Sequence, residues 1–205
     1  MLKINVLGSA VVLASAVLVG CSNTPTYPPA PAQTSAYDWN YLVGPGDSVN
    51  VFVWRNPEVS GNFPVRPDGK MTMNLVEDLP ASGKTPSQLA RDIEKALSKY
   101  IQEPIVTVIV GGGVGPFDQQ IRVVGEAAKP QALNYREKMS LIDLMISVGG
   151  LTDFAAGNKA YILRTQDGKQ TQLGVRLEDL LKGGDIKANV EIRPGDVLVI
   201  PESLF

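Results

Sequence analysis

The sequence contains no histidine and a single cysteine, and these two shortages exclude much of enzyme chemistry. Histidine is the usual general base near neutral pH and the commonest metal ligand, so Ser-His and Cys-His nucleophiles are ruled out. One cysteine cannot build a thiolate zinc site, and no run of Asp and Glu has the spacing of a calcium loop. The sequence therefore predicts no metal ion and no cofactor.

Clusters of positive charge are missing as well. Lysine and arginine together number 19 against 21 acidic residues, which gives a formal charge of −2. Nucleic-acid binding needs clustered Lys and Arg on the phosphates, so we expect no nucleic-acid partner. Aromatic residues make up 6% of the chain, which is lean for a dedicated sugar-stacking surface, whereas the hydrophobic content of 44% is sufficient for a folded core.

The amino-terminal stretch is typical of a secretory signal. Lys3 gives it a positive start, and residues 4–19 form an apolar run too short for a comfortable membrane-spanning helix. The run ends in Leu18-Val19-Gly20-Cys21, which resembles the lipoprotein box of bacteria. The alternative is an ordinary signal peptide with a chance cysteine nearby, but a leftover thiol in an exported protein then needs an explanation.

This resemblance implies that residues 1–20 are a signal peptide cleaved between Gly20 and Cys21, and that Cys21 carries several acyl chains, palmitate among them. Several chains anchor a protein stably where one is marginal. Ser22 stands where an Asp retains lipoproteins at the inner membrane. By the sorting rules of enterobacteria, we expect a lipid-anchored protein of the outer membrane that faces the periplasm.

Residues 21–40 form a proline-rich tether. Four prolines favour extended polyproline geometry, and the stretch offers little to bury: Pro25, Pro28, Pro29 and Pro31. We interpret it as a disordered spacer that reaches roughly 50 Å from the membrane at about 3.1 Å per residue.

The tripeptide Pro-Gly-Asp occurs twice, ending at Asp47 and at Asp196, each time before a β-branched strand. Glycine permits a left-handed turn and Asp can cap the turned backbone, so we assign both acids to turns. Asp68, in a predicted Asp-Gly hairpin, and Asp143, near a helix start, have similar explanations. We therefore predict no catalytic residue. A carboxylate pair for glycoside hydrolysis has no fixed sequence spacing and stays open as the least favoured alternative.

The first part of the mature chain predicts a small β-rich domain with one packed helix. Strands are expected at 49–53 and at 105–110, the second buried because it is β-branched throughout. A helix over 86–101 is capped by Thr85 and Gln88. Its apolar stripe is predicted to consist of Leu89, Ile93, Leu97 and Tyr100.

A glycine-rich segment, 111–116, separates this part from the next. A phosphate-binding loop would open into a helix and carry a Lys-Ser/Thr pair, whereas Pro116 and a polar stretch follow here. We interpret the segment as a flexible linker and place the two domains at 41–113 and 117–205.

The second domain predicts the order strand, hairpin, helix, strand, which is that of a β-grasp module. The strands are expected at 121–124 and 161–164, and the helix at 140–148 with Ser140 and Asp143 at its start and Gly149 at its end. The predicted fold class is therefore α+β. Turns, caps and core positions dominate this stretch, which favours a rigid packing module over a small-molecule pocket.

Trp54 and Arg55, directly after the first strand, are the candidate glycan contacts. An exposed Trp beside an Arg can stack on a sugar and donate hydrogen bonds to it. The alternative is a Trp that closes a hydrophobic strand and packs at a domain edge, and the high average burial of Trp favours this alternative.

Several motifs together resemble a known family across nearly all of residues 41–205. Those that resemble the polysaccharide export domain are YLVGPGD at 41–47, VRPDG at 65–69, the capped helix and the strand at 105–110. Those that are similar to the soluble-ligand-binding β-grasp (SLBB) domain that follows it are VVGE at 123–126, MSL to GGLT at 139–152 and RPGDV to PES at 193–203.

The resemblance implies a component of a capsular or exopolysaccharide export machine, and not an enzyme. Members of the family assemble into homo-oligomeric rings around a passage for the glycan, and they work with an inner-membrane co-polymerase that is often coupled to a tyrosine kinase. The Glu-Ser-x-Phe stretch at 202–205 resembles short exporters of exosortase-associated gene clusters. The alternative function is a non-conduit periplasmic glycan-binding or adaptor lipoprotein.

Two departures from the family pattern alter the expectation. Asn74 stands where the family commonly has Pro. Larger relatives also carry a second β-grasp domain and an amphipathic helix that lines an outer-membrane pore, and the sequence to Phe205 shows neither. We therefore expect a periplasmic conduit whose outer-membrane pore is supplied by a separate protein.

Overall fold

The structure is a computed structural model of the 205-residue chain, and it describes residues 27–31, 39–166 and 168–203. Within these residues the buried hydrophobic side chains form two cores, one between residues 43 and 106 and the other between 121 and 200. Three sheets and three α-helices surround them. This mixed architecture confirms the predicted α+β class.

The first core lies between two small sheets and a helix. The elements are β1 (Ser48–Val53), β2 (Gly61–Pro64), β3 (Lys70–Met73), β4 (Val76–Pro80), α1 (Pro86–Leu97) and β5 (Val106–Gly111). An antiparallel sheet has the order β2-β1-β5, and β3 and β4 form a separate antiparallel pair. The inner side chains of β1 pack in one core with the buried face of α1.

Helix α1 begins as the sequence predicts and ends earlier. The Thr85 side chain accepts a hydrogen bond from the Gln88 N–H, and the Gln88 side chain accepts one from the Thr85 N–H, which confirms the capping box. The helix ends at Leu97, because Ser98 forms its C-terminal cap. Tyr100 therefore lies beyond the last turn and is 63% exposed, so its predicted place in the buried stripe is wrong.

Two strand predictions in this part also need correction. The turn at Asp68 and Gly69 is present, since the Gly69 N–H donates to the Arg66 carbonyl. The Arg66 N–H also donates to the Lys70 carbonyl at 2.8 Å across the turn, but β2 pairs with β1 and β3 with β4, so the predicted hairpin is limited to the turn itself. Strand β5 is buried on one face alone, because the second sheet and the helix cover that face and leave Ile105 and Ile109 exposed.

The second core lies within a five-stranded sheet and the helices beside it. The elements are β6 (Ile121–Gly125), β7 (Ala132–Leu133), α2 (Leu141–Ser147), β8 (Tyr161–Gln166), β9 (Lys169–Gly174), α3 (Leu177–Leu181) and β10 (Val197–Ile200). The strand order is β7-β6-β10-β8-β9. Strand β10 runs parallel to β6 and antiparallel to β8, so it occupies the centre of the sheet.

Helix α2 confirms the predicted cap and core face. The Ser140 side chain accepts from the Asp143 N–H, and the Asp143 carboxylate accepts from the Ser140 N–H at 3.0 Å. The Ser140 hydroxyl and N–H bonds lower the pKa of Asp143 because they favour its charged form. The predicted core face is buried, with at most 1% exposure: Leu141, Leu144, Met145 and Val148. None of the helices in the described residues has the length and apolar character needed to cross a membrane.

Candidate functional site

The two Pro-Gly-Asp motifs adopt the same turn. In the first, the Asp47 N–H donates to the Gly44 carbonyl at 3.2 Å, and the Gly44 N–H donates to the Asp47 carboxylate at 2.7 Å. In the second, the Asp196 N–H donates to the Arg193 carbonyl at 3.2 Å, and the Arg193 N–H donates to the Asp196 carboxylate at 2.8 Å. The central glycines have φ angles of 90° and 82°. Each Asp caps its own turn, and a strand follows each.

Asp47 also ties its turn to the segment between the two cores. Its side chain is fully buried, and it accepts hydrogen bonds from the Val114 N–H at 2.7 Å and the Gly115 N–H at 3.3 Å. The Tyr41 hydroxyl donates to the same carboxylate. Burial, followed by the bond to Asp47 and its charge, raises the pKa of Tyr41, so the phenol stays a protonated donor.

Both turns approach this connecting segment closely. A Cβ atom on Gly44 would lie 2.0 Å from the carbonyl carbon of Gly115, and one on Gly195 would lie 2.5 Å from the Asp118 carbonyl oxygen. Neither position admits a side chain without moving the backbone. In the segment that the sequence predicts as a flexible linker, Val114 and Gly115 are hydrogen-bonded to the first turn, and the chain passes close to the second turn at Asp118.

Asp196 differs from Asp47 in having a cationic partner. The Arg164 guanidinium donates to its two oxygens, from Nε at 2.9 Å and from Nη2 at 2.7 Å. Both side chains are nearly fully buried. The pair joins β8 to the turn before β10, and this explains how a charged side chain from β8 can lie within the second core.

The remaining acids that could suggest catalysis have structural partners as well. Asp68 forms an ion pair with Arg66 at 2.7 Å, and Asp143 caps α2. Within the described residues, no three His, Cys, Asp or Glu side chains are grouped closely enough to hold a metal ion. The predicted turn and cap roles of these acids agree with the contacts observed.

The most prominent candidate surface is the outer face of the β2-β1-β5 sheet. We call it the outer sheet face and define it by Asn50, Phe52, Trp54, Ile105, Thr107 and Ile109. Asn50 pairs with Ile109 and Phe52 with Thr107 in the strand register, and the Trp54 N–H donates to the Ile105 carbonyl at 2.9 Å. Side chains two positions apart on a strand share a face, so these six lie together. All six are exposed.

Trp54 is therefore a surface residue, contrary to the alternative that the sequence favoured. Its side chain is 54% exposed, and its ring meets that of Phe52 edge-on with 6.4 Å between the centroids. Arg55 follows in a turn with φ of 60°, and it is also exposed. Both candidate glycan contacts thus lie at the end of the outer sheet face, where a ligand can reach them.

The sequence signal for this surface was present but ambiguous. A β-branched run such as Ile105 to Val110 is compatible with a strand buried on two faces or on one. A sheet has two faces, and α1 is long enough to cover one of them. The other face groups four large exposed apolar side chains, which makes it a candidate interaction surface.

The comparisons with known proteins agree with this architecture. Residues 35–111 match the family described as polysaccharide biosynthesis/export protein, and residues 120–182 match the SLBB domain. The first match contains the outer sheet face, and the second contains α2 and most of the five-stranded sheet. The chain thus carries a polysaccharide export domain followed by an SLBB domain, and the polysaccharide export protein family is a transport family and not an enzyme family.

Two curated relatives come from exopolysaccharide systems. One is the EPS I polysaccharide export outer membrane protein EpsA of Ralstonia nicotianae, which is 24% identical over 79% of this chain and 47% of its own length. The other is the exopolysaccharide production protein ExoF of Rhizobium meliloti, which is 27% identical over 80% of this chain and 41% of its own length. The chain therefore spans about half the length of the curated relatives it matches.

Proposed function

We propose that this protein is a lipid-anchored component of an exopolysaccharide export machine at the periplasmic side of the outer membrane, where it forms or joins a ring-like conduit. The observation that carries the proposal is the outer sheet face, an exposed aromatic surface within the polysaccharide export domain. An inner-membrane co-polymerase would deliver the glycan to it. Transport along such a surface requires no bond to be made or broken.

The chemistry of the outer sheet face suits a sliding glycan. Aromatic rings such as those of Phe52 and Trp54 pack against the C–H faces of sugar rings, and amide and hydroxyl side chains such as Asn50 and Thr107 hydrogen-bond to sugar hydroxyls. The surface is open and shallow, so each contact is weak and short-lived. A conduit needs such contacts, because a deep and tight site would hold the chain in place.

Replacing Phe52 and Trp54 together with alanine is expected to lower polysaccharide secretion several-fold and to leave polysaccharide in the periplasm. The physical reason is the loss of both rings from a face that makes no contribution to the core, so the variant should fold normally. The measurement is the ratio of secreted to periplasmic polysaccharide in cells that carry the variant as their single copy.

The matched control is Ile146→Ala with Phe154→Ala, which removes two exposed apolar side chains from the β-grasp domain. Its secretion should equal that of the unmodified protein. Normal secretion by the Phe52 and Trp54 variant would remove the outer sheet face from the proposal.

Electron microscopy of the purified protein separates a closed ring, expected for a conduit, from a persistent monomer, expected for an adaptor.

Anchoring depends on Cys21, which lies outside the described residues. The Cys21→Ser variant is expected to keep its fold and to move from the membrane fraction to the soluble periplasmic fraction, because acylation requires the thiol. Fractionation followed by immunoblotting measures this. Thr24→Ala, a change in the same stretch that leaves the lipoprotein box intact, should stay with the membrane. A Cys21→Ser protein that also stays there after a high-salt wash, which removes charge-mediated binding, would refute lipid anchoring.

A further inference from the structure

Part of the proline-rich tether is bound to the β-grasp domain. Residues 27–31, which we call the strap, run beside the last residue of β9. The Gly174 N–H donates to the Pro28 carbonyl at 2.8 Å, and the Ala30 N–H donates to the Gly174 carbonyl at 3.0 Å. The Tyr27 ring lies 4.8 Å from that of Tyr161, centroid to centroid. The sequence predicts a disordered spacer here, whereas the strap has partners in both its backbone and its side chains.

The strap shortens the reach of the anchor. Five residues lie between Cys21 and Tyr27, and even a fully extended chain spans about 20 Å from one Cα atom to the other. A tether that was free from residue 21 to residue 40 would reach more than twice as far. With the strap bound, a lipid on Cys21 holds the strap side of the β-grasp domain close to the membrane.

The surface beside the strap carries positive charge. A cavity of about 350 Å³ lies between the strap and the domain, and Lys159, Arg176 and Lys187 are among its lining residues. Arg176 binds Asp179 and Asp185 at 2.9 and 2.8 Å, so its charge is balanced. Neither Lys159 nor Lys187 forms an ion pair with the residues that the structure describes.

An exposed apolar side chain adjoins Lys187 in the chain. Ile186 is 79% exposed and directly precedes Lys187. An exposed aliphatic side chain beside a lysine suits a surface that rests on anionic lipids, because the apolar group can enter the headgroup layer while the ammonium group meets a phosphate. We call the strap, Lys159, Ile186 and Lys187 the strap face.

We propose that the strap face rests on the anionic phospholipid surface of the leaflet that holds the anchor, with Lys159 and Lys187 at lipid phosphates and Ile186 at headgroup depth. The inference depends on the proposed acylation of Cys21 and goes beyond it, since it fixes which side of the molecule faces the membrane. The outer sheet face, in the other domain, is then left for the glycan or for neighbouring subunits.

The test uses the acylated full-length mature protein in vesicles of phosphatidylethanolamine and phosphatidylglycerol. Cys21 is the one cysteine of the chain and is acylated in the proposed form, so Ile186→Cys supplies the sole free thiol for an environment-sensitive fluorophore. We expect a blue-shifted emission that lipid-borne quenchers reduce. In the control, Ile109→Cys on the outer sheet face, the emission of the fluorophore should be that of a probe in water, and lipid-borne quenchers should not reduce it.

The two proposals can fail separately. A probe at position 186 that stays in water on vesicle-bound protein would overturn the orientation and leave the anchor intact. Protein that does not associate with vesicles at all would overturn both.

A second measurement examines the lysines without the anchor. In the Cys21→Ser protein, Lys159→Glu with Lys187→Glu is expected to lower the partition onto phosphatidylglycerol vesicles by roughly tenfold or more, since each lysine near an anionic surface contributes about that order of binding. Lys95→Glu with Lys99→Glu, which changes the same charge on the other domain, is the matched control. Equal partition of the two variants would contradict the assignment of the strap face.

Discussion

Replacing Asp47 with alanine is expected to lower the free energy of unfolding by roughly 3–5 kcal/mol. The carboxylate is fully buried, and it accepts hydrogen bonds from the N–H groups of Gly44, Val114 and Gly115 and from the Tyr41 hydroxyl. Alanine leaves these donors without their acceptor, and each buried unpaired group costs about 1–3 kcal/mol. A domain of ordinary stability has about 5–15 kcal/mol in total, so the loss is severe.

The Asp47→Ala variant should also become sensitive to protease at one particular segment, which a general loss of stability would not predict. The segment around Val114 is fastened by the carboxylate, so limited proteolysis under native conditions should begin there. Denaturant unfolding and identification of the first cleavage site are the two measurements. Asp153→Ala, at an exposed acid, should change stability by about 0.5 kcal/mol or less. If the Asp47→Ala protein matches the Asp153→Ala control in its free energy of unfolding and in its protease resistance, Asp47 does not hold the segment around Val114.

Replacing Arg164 with alanine is expected to destabilise the β-grasp domain by about 3–5 kcal/mol. Asp196 is 1% exposed. Of the hydrogen bonds to its carboxylate described above, the one from the Arg193 N–H is all that remains when Arg164 is removed. The cost arises from the buried charge that remains and not from the attraction lost. Urea unfolding followed by circular dichroism measures it.

Two further variants make the Arg164 result specific. Arg164→Lys keeps the charge but cannot place two donors on both carboxylate oxygens, so it should fall between the parent and Arg164→Ala. In the double variant Arg164→Ala with Asp196→Ala, no buried charge remains, and the destabilisation should be clearly smaller than the sum of the two single effects. Additive single effects would mean that the two side chains are not coupled.

Local features of the fold could be predicted from the sequence because nearby residues determine them. The capping pairs Thr85 with Gln88 and Ser140 with Asp143 lie three residues apart, and hydrogen bonds at that spacing need no knowledge of the rest of the chain. The Pro-Gly-Asp turns follow the same logic. The end of α1 was harder, because Tyr100 has the spacing of the apolar stripe although the helix has already ended.

The contacts that fix the two Pro-Gly-Asp turns in the fold join residues far apart in the chain. Asp47 and Val114 are separated by 67 positions, and Arg164 and Asp196 by 32. The sequence shows that Asp47 suits a turn. Its second role, as the acceptor for the Val114 N–H, depends on where a distant segment of the chain lies in the fold. The strap is a similar case, since polyproline composition indicates an extended backbone and does not reveal the free edge at Gly174 that it joins.

Strand β10 determines when the second domain can acquire its native form. It lies between β6 and β8, yet it follows both in the chain, and its register with β6 joins residues such as Leu198 and Val123. During synthesis, the β8-β9 hairpin can form early, but β6 and β8 have no strand between them until β10 has been made. Long-range parallel pairing of this kind is slow and leaves unpaired edges open to aggregation. The second domain therefore stays incompletely paired until one short strand has been made, and chaperones have their clearest opportunity in that interval.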